Sequence, residues 1–228
     1  MPSLQRAARL PSLGTAALMF ADRNDAAEQL AAALVRYKGQ NPLILGIPRG
    51  AIPMACVIAD RLEGEVDVVL VRKLRAPGSP EYAIGAVDES GWSYLNADAG
   101  AAGANQTYLA AEKTVQLNTL KERRKLYTAH RTPIDPAGRI VIVVDDGLAT
   151  GSTMIAALHA LRARKPQRLV CAVPVAPPET VERVRSGCDE LVCLESPRSF
   201  YAVGQFYRDF EQVSDDEVVA LLSSRNGD

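Results

Sequence analysis

The segment VIVVDDGLATGST, residues 141–153, constrains the fold of this chain more than any other part of it. It begins with an unbroken β-branched run, which is typical of a strand buried on both faces of a parallel sheet. Two adjacent acids, Asp145 and Asp146, end the run, and a glycine-containing turn then leads towards a helical segment. A strand, turn and helix in this order predict an α/β fold that binds ligands at the carboxyl ends of its strands.

The rest of the chain alternates in the same way between short apolar runs and helical segments. A polar turn at Glu89–Gly91 within AIGAVDESGWSYLN also indicates a hairpin. A short helix is expected after Ser214. Alternating strands and helices predict a mostly parallel sheet with helices on both faces. Strands are predicted at 42–47, 66–73, 139–145, 168–175 and 190–194, and helices at 24–38, 51–62, 105–130, 152–164 and 178–186.

The chain contains no internal repeat, low-complexity stretch or linker, so residues 19–228 are predicted to form a single domain. Residues 1–18 carry Arg6 and Arg9 but no acid, and no clear cleavage site precedes the charged segment that starts at 21. We therefore expect residues 1–18 to be a flexible N-terminal extension.

The overall composition argues against several classes of partner. The chain has 26 basic and 27 acidic residues, a net charge of −1, which gives no reason to expect nucleic acid or a membrane surface. No stretch approaches the roughly 20 apolar residues of a membrane span. Its four cysteines and two histidines are poor material for a zinc site. Reduced core thiols point to the cytoplasm.

The turn after the acids is suited to a phosphate group. Backbone N–H groups at a helix start favour an anion, and the glycines let the backbone approach it closely. Hydroxyl donors follow at Thr150, Ser152 and Thr153. A Walker loop would need a lysine, a dinucleotide site would need GxGxxG, and a haloacid-dehalogenase-type site would need its two acids separated by one residue.

Hydrophobic residues, two acids and a small-residue loop ending in Thr-Gly-Ser-Thr resemble the phosphoribosyl-pyrophosphate (PRPP) motif of type I phosphoribosyltransferases. The resemblance implies that Asp145 and Asp146 hold the ribose hydroxyls. It assigns the 5-phosphate to the loop that follows, made of Gly147, Leu148, Ala149, Thr150, Gly151, Ser152 and Thr153. It also implies the type I phosphoribosyltransferase fold with a small hood or flap region. Carboxylates accept hydrogen bonds from a diol and offset positive charge that builds on the ribose carbon.

Two further segments extend this resemblance, which covers roughly residues 20–222. GIPRGAIP places Pro48, Arg49 and Gly50 where the family has its pyrophosphate loop, which often carries a cis-like peptide. VRKLRAPG places Arg72 and Lys73 where a basic pair contacts pyrophosphate. A mobile loop or hairpin at 74–98 would then cover the site, with Arg75 and Glu81 as candidate contacts in the closed form.

Aromatic residues cluster in SFYAVGQFYRDF, within the predicted C-terminal hood at 195–228. Phe200 and Tyr201 are candidates for a base pocket, because flat aromatic faces suit a flat base. Packing of the tail is an equally open use of the same cluster. The basic end of the helix at 105–130 is interpreted as a solvated face, with a role in holding a phosphate or RNA as the alternative. Its basic residues are Lys121, Arg123, Arg124 and Lys125.

The resemblance implies Mg²⁺-dependent transfer of 5-phosphoribose from PRPP to a nitrogenous base, with release of pyrophosphate. Asp145, Asp146 and Lys73 are the candidate catalytic residues, and Asp146 is the nearest candidate general base. Mg²⁺ would be held mainly through PRPP and water, and relatives of this fold are commonly homodimers. The base stays open, and so do two rivals: a PRPP- or nucleotide-sensing regulator, and a phosphohydrolase of phosphorylated sugars or nucleotides.

Overall fold

The computed structural model describes residues 20–129 and 132–225, apart from the side chains of Pro80 and Glu81. The expected extension at 1–18 and the Glu81 contact lie outside this description. The strands are β1 Leu43–Gly46, β2 Glu65–Val68, β3 Val71–Ala76, β4 Ser79–Asp88, β5 Ser93–Leu95, β6 Ile140–Val144, β7 Arg168–Val175 and β8 Glu190–Glu195. The helices are α1 Arg23–Ala33, α2 Ala51–Leu62, α3 Gln106–Tyr127, α4 Ser152–Arg162, α5 Pro178–Arg185 and α6 Asp215–Ser223.

The main sheet has the strand order β2-β1-β6-β7-β8 within the described residues, and all of its pairings are parallel. The predicted parallel sheet is therefore confirmed. From β1 the chain passes through α2 to the strand on one side, and from β6 it passes through α4 to the strand on the other. β1 and β6 are neighbours, and the loops that follow them lead in opposite directions. This divergence creates a crevice at the carboxyl edge of the sheet.

Successive residues of each central strand pack into two separate hydrophobic cores, because side chains alternate between the faces of a sheet. Ile44 and Ile142 pack beneath α1 and α2 on one face. Leu43 and Val141 pack beneath α4 on the other. The sheet is covered on both faces, as the continuous apolar runs predict.

The predicted strand at 66–73 is wrong as a single element. β2 ends at Val68 in the parallel sheet, and β3 begins at Val71 in a separate antiparallel sheet of order β3-β4-β5. Val69 and Leu70 are buried at the junction between the two sheets. An apolar run that is buried throughout gives no local signal for such a change of partner.

The antiparallel sheet occupies the segment that the family pattern assigns to a mobile loop or hairpin. The hairpin turn predicted at Glu89–Gly91 is confirmed by the pairing of β4 with β5. The connection between β3 and β4 is short, because β3 ends at Ala76 and β4 begins at Ser79. β3 packs against α3 and β4 against α4, so the sheet is held beside the crevice. Its movement stays a prediction.

The first described residue, Phe20, meets the segment before α6 beside the same crevice. The N–H of Phe20 donates to the carbonyl of Phe206, and the N–H of Arg208 donates to the carbonyl of Phe20. Phe20 and Tyr207 pair as a short parallel bridge, and their rings pack at 5.4 Å. None of the helices in the described part of the chain combines the length and the apolar character needed to cross a membrane.

Candidate active site

A cavity of about 620 Å³ opens at the carboxyl edge of the parallel sheet. It brings the segment after β1, the segment after β6, the antiparallel sheet and the C-terminal tail to one place. Its lining residues are Ile47, Pro48, Arg49, Gly50, Lys73, Tyr82, Ala83, Asp145, Asp146, Gly147, Leu148, Ala149, Thr150, Gly151, Thr153, Tyr201, Val203 and Phe210. Most of the site residues expected from the sequence therefore share one cavity.

The loops after β1 and β6 are in direct contact at the floor of this cavity. A Cβ atom on Gly50 would lie 2.1 Å from Oδ2 of Asp146, far inside van der Waals contact. Glycine at 50 therefore lets the backbone of residues 48–50 pass against the carboxylate. The peptide bond between Pro48 and Arg49 is cis, as the family pattern implies.

The two adjacent acids have different environments. Burial and the neighbouring Asp146 raise the pKa of the Asp145 carboxyl well above its ordinary value, and Lys73 and Arg23 only partly offset this. Burial also raises the pKa of Asp146, but Arg23 counters the shift by charge and by hydrogen bonds. Asp145 is consequently the acid of the pair that takes up a proton more readily.

Asp146 is paired with Arg23, a residue that the sequence reading did not single out. The Nε and Nη2 atoms of Arg23 donate to Oδ2 of Asp146 at 3.0 and 2.8 Å. Both side chains are largely buried, with exposures of 14% and 18%. Asp146 is therefore poorly placed for the general-base role expected of it, because one of its oxygens is already committed to a cation.

The loop at 147–153 is braced from three sides. The N–H of Leu148 donates to the carbonyl of Val175, and the hydroxyl of Thr180 donates to the carbonyl of Ala149 at 2.6 Å. Arg183 donates to the carbonyl of Thr150. The carbonyls of Ala149 and Thr150 are thus paired with donors from α5, which suits a site that would receive an anion on other backbone N–H groups of the loop.

Gly151 starts α4 and shows why the loop needs glycine at this position. Its φ is +72°, and a Cβ atom would lie 2.9 Å from methyl groups of Thr180 and Val184. The first N–H groups of α4 have no acceptor within the helix and point back along the helix axis. The predicted strand–turn–helix geometry is therefore present, and its role in binding an anion stays a prediction.

Ser152 differs from the sequence expectation. It is buried, and its hydroxyl donates to Oδ1 of Asn96 at 2.7 Å instead of facing the cavity. The Thr150 hydroxyl lies 3.0 Å from that of Ser152. Asn96 follows β5, so the loop after β6 and the antiparallel sheet are joined here. Of the three hydroxyl-bearing residues, Thr150 and Thr153 line the cavity.

Cations line this cavity and a second cavity that adjoins it. Lys73 is exposed on β3. Arg49 follows β1, and its Nη1 lies 3.8 Å from Oδ2 of Asp215 at the start of α6. Arg72 lines a separate, adjoining cavity of about 250 Å³, where it is joined by Arg123 of α3.

The adjoining cavity is strongly basic. Every charged residue among its described lining is a cation, namely Arg72, Lys73, Arg75 and Arg123. Burial, Arg123 and Arg75 lower the pKa of the Arg72 guanidinium. The interpretation of the α3 end as a solvated face is therefore wrong for Arg123, and also for the partly buried Arg124, which is paired with Glu89.

The aromatic cluster of the tail divides into two groups. Tyr201 lines the cavity with 90% of its surface exposed. Phe200 is outside the cavity lining and packs on Phe206 at 5.1 Å. The structure therefore does not bring Phe200 and Tyr201 together as one pocket. Val203 and Phe210 take the place expected of Phe200 in the wall.

Sequence reasoning missed Arg23, Arg123, Val203 and Phe210. A lone arginine at a helix start and a branched residue in a tail carry no local pattern of a site. The clustering of basic residues near the end of α3 was a usable signal for Arg123. The other contacts arise from the meeting of segments that lie far apart in the sequence.

Comparisons with known proteins agree with this geometry. The model of the phosphoribosyl transferase domain family matches residues 17–211. The chain is 42% identical over 215 residues to two proteins of Mycobacterium tuberculosis, "Putative phosphoribosyl transferase MT0597" of strain CDC 1551 / Oshkosh and "Putative phosphoribosyl transferase Rv0571c" of strain ATCC 25618 / H37Rv. The alignment covers 92% of this chain and 48% of each of them, so the chain spans about half the length of these relatives.

Among solved structures, TT1426 from Thermus thermophilus superposes with a TM-score of 0.76 at 45% identity. This match covers 92% of the chain and 100% of the TT1426 chain. The parallel sheet, the crevice at its carboxyl edge and the family match over most of the length agree with one another. The chain belongs to the phosphoribosyl transferase domain family and has the type I phosphoribosyltransferase fold.

Proposed function

We propose that this protein transfers 5-phosphoribose from PRPP to a nitrogenous base and releases pyrophosphate. The observation that carries the proposal is one cavity whose lining brings together the turn before α4, two adjacent acids and basic side chains. PRPP has a matching set of groups: a 5-phosphate, a ribose diol and a pyrophosphate. Family membership supports the reaction class.

The loop and the acid pair would hold the half of PRPP that is transferred. The braced turn at 147–153 and the start of α4 offer N–H groups to the 5-phosphate. The carboxylates of Asp145 and Asp146 accept hydrogen bonds from the ribose hydroxyls. As the bond to pyrophosphate breaks, positive charge grows on the ribose carbon, and a fixed carboxylate stabilises that charge.

The basic side chains would hold pyrophosphate, the half of PRPP that departs. Pro48, Arg49 and Gly50 lie next to the acids, and Lys73 lines both the main and the adjoining cavity. Negative charge accumulates on pyrophosphate as it leaves, so lysine and arginine side chains stabilise the transition state more than the ground state. Arg72 and Arg123 extend this positive region into the adjoining cavity.

Mg²⁺ fits the donor set of this site. The cavity carries the carboxylates of Asp145 and Asp146, and PRPP would bring its own hydroxyl and pyrophosphate oxygens beside them. Mg²⁺ prefers oxygen ligands and retains water, so we propose that PRPP oxygens and water supply its ligands and that neither acid binds it directly. The ion would neutralise part of the charge on pyrophosphate.

The acceptor would enter beside the tail. Tyr201, Val203 and Phe210 form a mainly apolar wall, which suits one face of a flat heterocycle. Asp145 is the better of the two acids to take a proton from the attacking nitrogen, since Asp146 is paired with Arg23. All four cysteines are free thiols, in keeping with the reducing cytoplasm in which we propose that the enzyme acts.

Direct binding of PRPP tests the proposal. Asp145→Asn combined with Asp146→Asn should weaken PRPP binding by about 100-fold, because two charge-assisted hydrogen bonds of about 1.5 kcal/mol each are lost. Calorimetry with PRPP and Mg²⁺ measures the affinity, and circular dichroism checks the fold. Exposed Asp209→Asn is the matched control.

A screen of purines, pyrimidines and other heterocycles, followed by pyrophosphate release, identifies the acceptor. Release that depends on one base supports the transferase. Equal PRPP affinity in the double variant and the wild type would show that the acids do not hold the ribose. Phosphate release without any base would favour the phosphohydrolase instead.

A further inference from the structure

The Arg23 side chain lies behind the acid pair, and the proposed reaction assigns it no direct contact with substrate. It starts α1, immediately after the N-cap residue Asp22. Its guanidinium donates twice to Oδ2 of Asp146 and, through Nη1, to the carbonyl of Glu211 at 2.6 Å. One arginine therefore joins the first helix, the strand-end acid and the C-terminal tail.

The Arg23–Asp146 pair is enclosed by the pyrophosphate loop as well. A Cβ atom on Gly50 would lie 2.9 Å from Nε of Arg23 and 2.1 Å from Oδ2 of Asp146. Since the backbone of Gly50 passes so close, the carboxylate has little room to rotate. Arg23 contacts Oδ2 of Asp146, and Oδ1 is the oxygen of this carboxylate that it leaves free of contact.

Arg23 also positions the wall of the cavity. Its guanidinium carbon lies 3.8 Å from the centroid of the Phe210 ring, within cation–π distance. Tyr207, next to this wall, donates its hydroxyl to the backbone carbonyl of Asp146 at 2.6 Å. The ring of Tyr207 packs on Phe210 at 4.8 Å. The acid and the aromatic wall are thus held in one arrangement by a shared set of contacts.

We propose that Arg23 is a positioning residue, which aims the free oxygen of Asp146 at a ribose hydroxyl and sets Phe210 against the acceptor. This inference rests on the proposed function, since it presumes that PRPP occupies the cavity. Arginine suits the position because its planar fork reaches Asp146 and Glu211 at once, whereas a lysine presents a single point charge.

The Arg23–Asp146 pair should make the affinity for PRPP depend on pH in a measurable way. Burial raises the pKa of Asp146 and Arg23 counters the shift, so removal of Arg23 raises that pKa further. A protonated Asp146 is a weaker acceptor for a ribose hydroxyl than the carboxylate. The affinity of an Arg23 variant for PRPP should therefore start to fall at a higher pH than that of the wild type. The other charges facing Asp146 are Lys73 and Asp145, which the variants retain.

The experiment compares Arg23→Met, Arg23→Lys and Arg61→Met. Arg61 is the matched control, because its Nε and Nη2 atoms bind Glu28 of α1 at 2.8 and 2.7 Å, outside the cavity. PRPP affinity is measured by calorimetry between about pH 5 and pH 8, with thermal unfolding of each variant. We expect Arg23→Met to bind PRPP at least about ten-fold more weakly at neutral pH. As the pH is lowered, its affinity should start to fall at a higher pH than that of the wild type.

The lysine variant separates charge from geometry. The affinity of Arg23→Lys for PRPP should start to fall at about the same acidic pH as that of the wild type, because the positive charge stays. The variant should still bind PRPP about three-fold more weakly, because the planar fork of the guanidinium is lost. Arg61→Met should bind like the wild type. If Arg23→Met does not fold, Arg23→Lys decides: weaker binding at unchanged unfolding temperature supports the inference, and equal affinity overturns it.

The outcomes for the function and for Arg23 are distinct. A wild-type protein that binds no PRPP at any pH refutes the proposed function, and the inference falls with it. If the wild type binds PRPP and a folded Arg23→Met variant binds it with the same affinity and the same pH profile, only the inference about Arg23 is refuted.

Discussion

The site has two contrasting parts. Residues 147–153, which we term the loop end, are held by backbone and side-chain bonds to β7 and α5. Arg49, Lys73 and Arg123, which we term the cation end, come from three different segments and line the main or the adjoining cavity. The loop end presents fixed N–H groups, whereas the cation end presents long side chains that are partly or fully exposed. This contrast suits a substrate whose one half stays bound while its other half leaves.

The difference has an energetic side. Backbone N–H groups lose no side-chain freedom when they receive an anion, whereas each long cation loses rotamer freedom on binding. Burial lowers the pKa of the Arg72 guanidinium, and repulsion from the neighbouring Arg123 and Arg75 lowers it further. We therefore expect substitutions at the loop end to affect both folding and binding, and substitutions at the cation end to affect mainly binding.

The largest effect is expected for Gly151→Ala at the loop end. Its φ of +72° disfavours alanine, and the added Cβ meets Thr180 and Val184 at 2.9 Å. Strain of about 1 kcal/mol and overpacking of about 1–3 kcal/mol should lower the free energy of unfolding together. Urea unfolding measures this loss, and calorimetry should show PRPP affinity falling with it.

Gly138→Ala is the control for this change. Gly138 precedes β6, outside the cavity lining, and has a φ of +68°, but no atom of the described residues lies within 4 Å of its added Cβ. Only the backbone strain of about 1 kcal/mol should appear, without loss of PRPP affinity. Equal destabilisation in the two variants would mean that the contacts of Gly151 with α5 do not matter.

A smaller effect, of opposite sign, is expected for Asp145→Asn at the cavity floor. The pKa of Asp145 is raised above its unfolded value, so the ionised side chain lowers the free energy of unfolding at neutral pH. Asparagine removes this cost, which is about 1.4 kcal/mol for each unit of pKa shift. The variant should be more stable than the wild type at neutral pH although it binds PRPP less well.

The pH dependence fixes the sign of this prediction. The penalty is fully present above the raised pKa and disappears as the pH falls towards about 3.9, the ordinary value for aspartate. Thermal unfolding across this range should show the two curves converging at low pH. Exposed Asp209→Asn serves as the control, and a stability gain for Asp145→Asn that does not shrink in acid would contradict the assignment.

The smallest effect is expected for Arg123→Ala at the cation end. Pyrophosphate should bind about five-fold more weakly at low salt, a loss of about 1 kcal/mol, and the loss should shrink at high ionic strength as charges are screened. Unfolding should be little changed, since repulsion between Arg123 and Arg72 is relieved. Calorimetry with pyrophosphate at two salt concentrations tests this.

Lys125→Ala, on the exposed side of the same helix, is the matched control. It removes one positive charge from α3 without touching the adjoining cavity. If the two variants weaken pyrophosphate binding equally, the cation end acts only through net charge, and its distinction from the loop end is lost.

The sequence predicted those parts of the site that one continuous segment builds. The β6 run, Asp145, Asp146 and the glycine-containing turn are local, and each residue type follows from its backbone position. The same holds for Pro48–Gly50 after β1. Neighbouring parallel strands then place the two loops together, because their carboxyl ends share one edge of the sheet.

The sequence could not predict contacts that depend on the packing of distant segments. Arg23 is 123 residues from Asp146, and Phe210 belongs to a tail whose course is set by pairing with Phe20. The change of sheet between β2 and β3 is invisible in an unbroken apolar run, because burial is the same on both sides of it. Arg123 looked like a solvated cation until β3 was seen to pack against α3.

The sequence by itself therefore determined the α/β fold, the two loops at the edge of the sheet and the chemistry that each loop presents. Only the tertiary structure decided how the adjacent acids differ, which side chains form the wall and where the cations of α3 lie. Periodicity and turn chemistry are properties of neighbours in the chain. The pKa and the orientation of a side chain depend on neighbours in space, and burial and charge act there regardless of sequence distance.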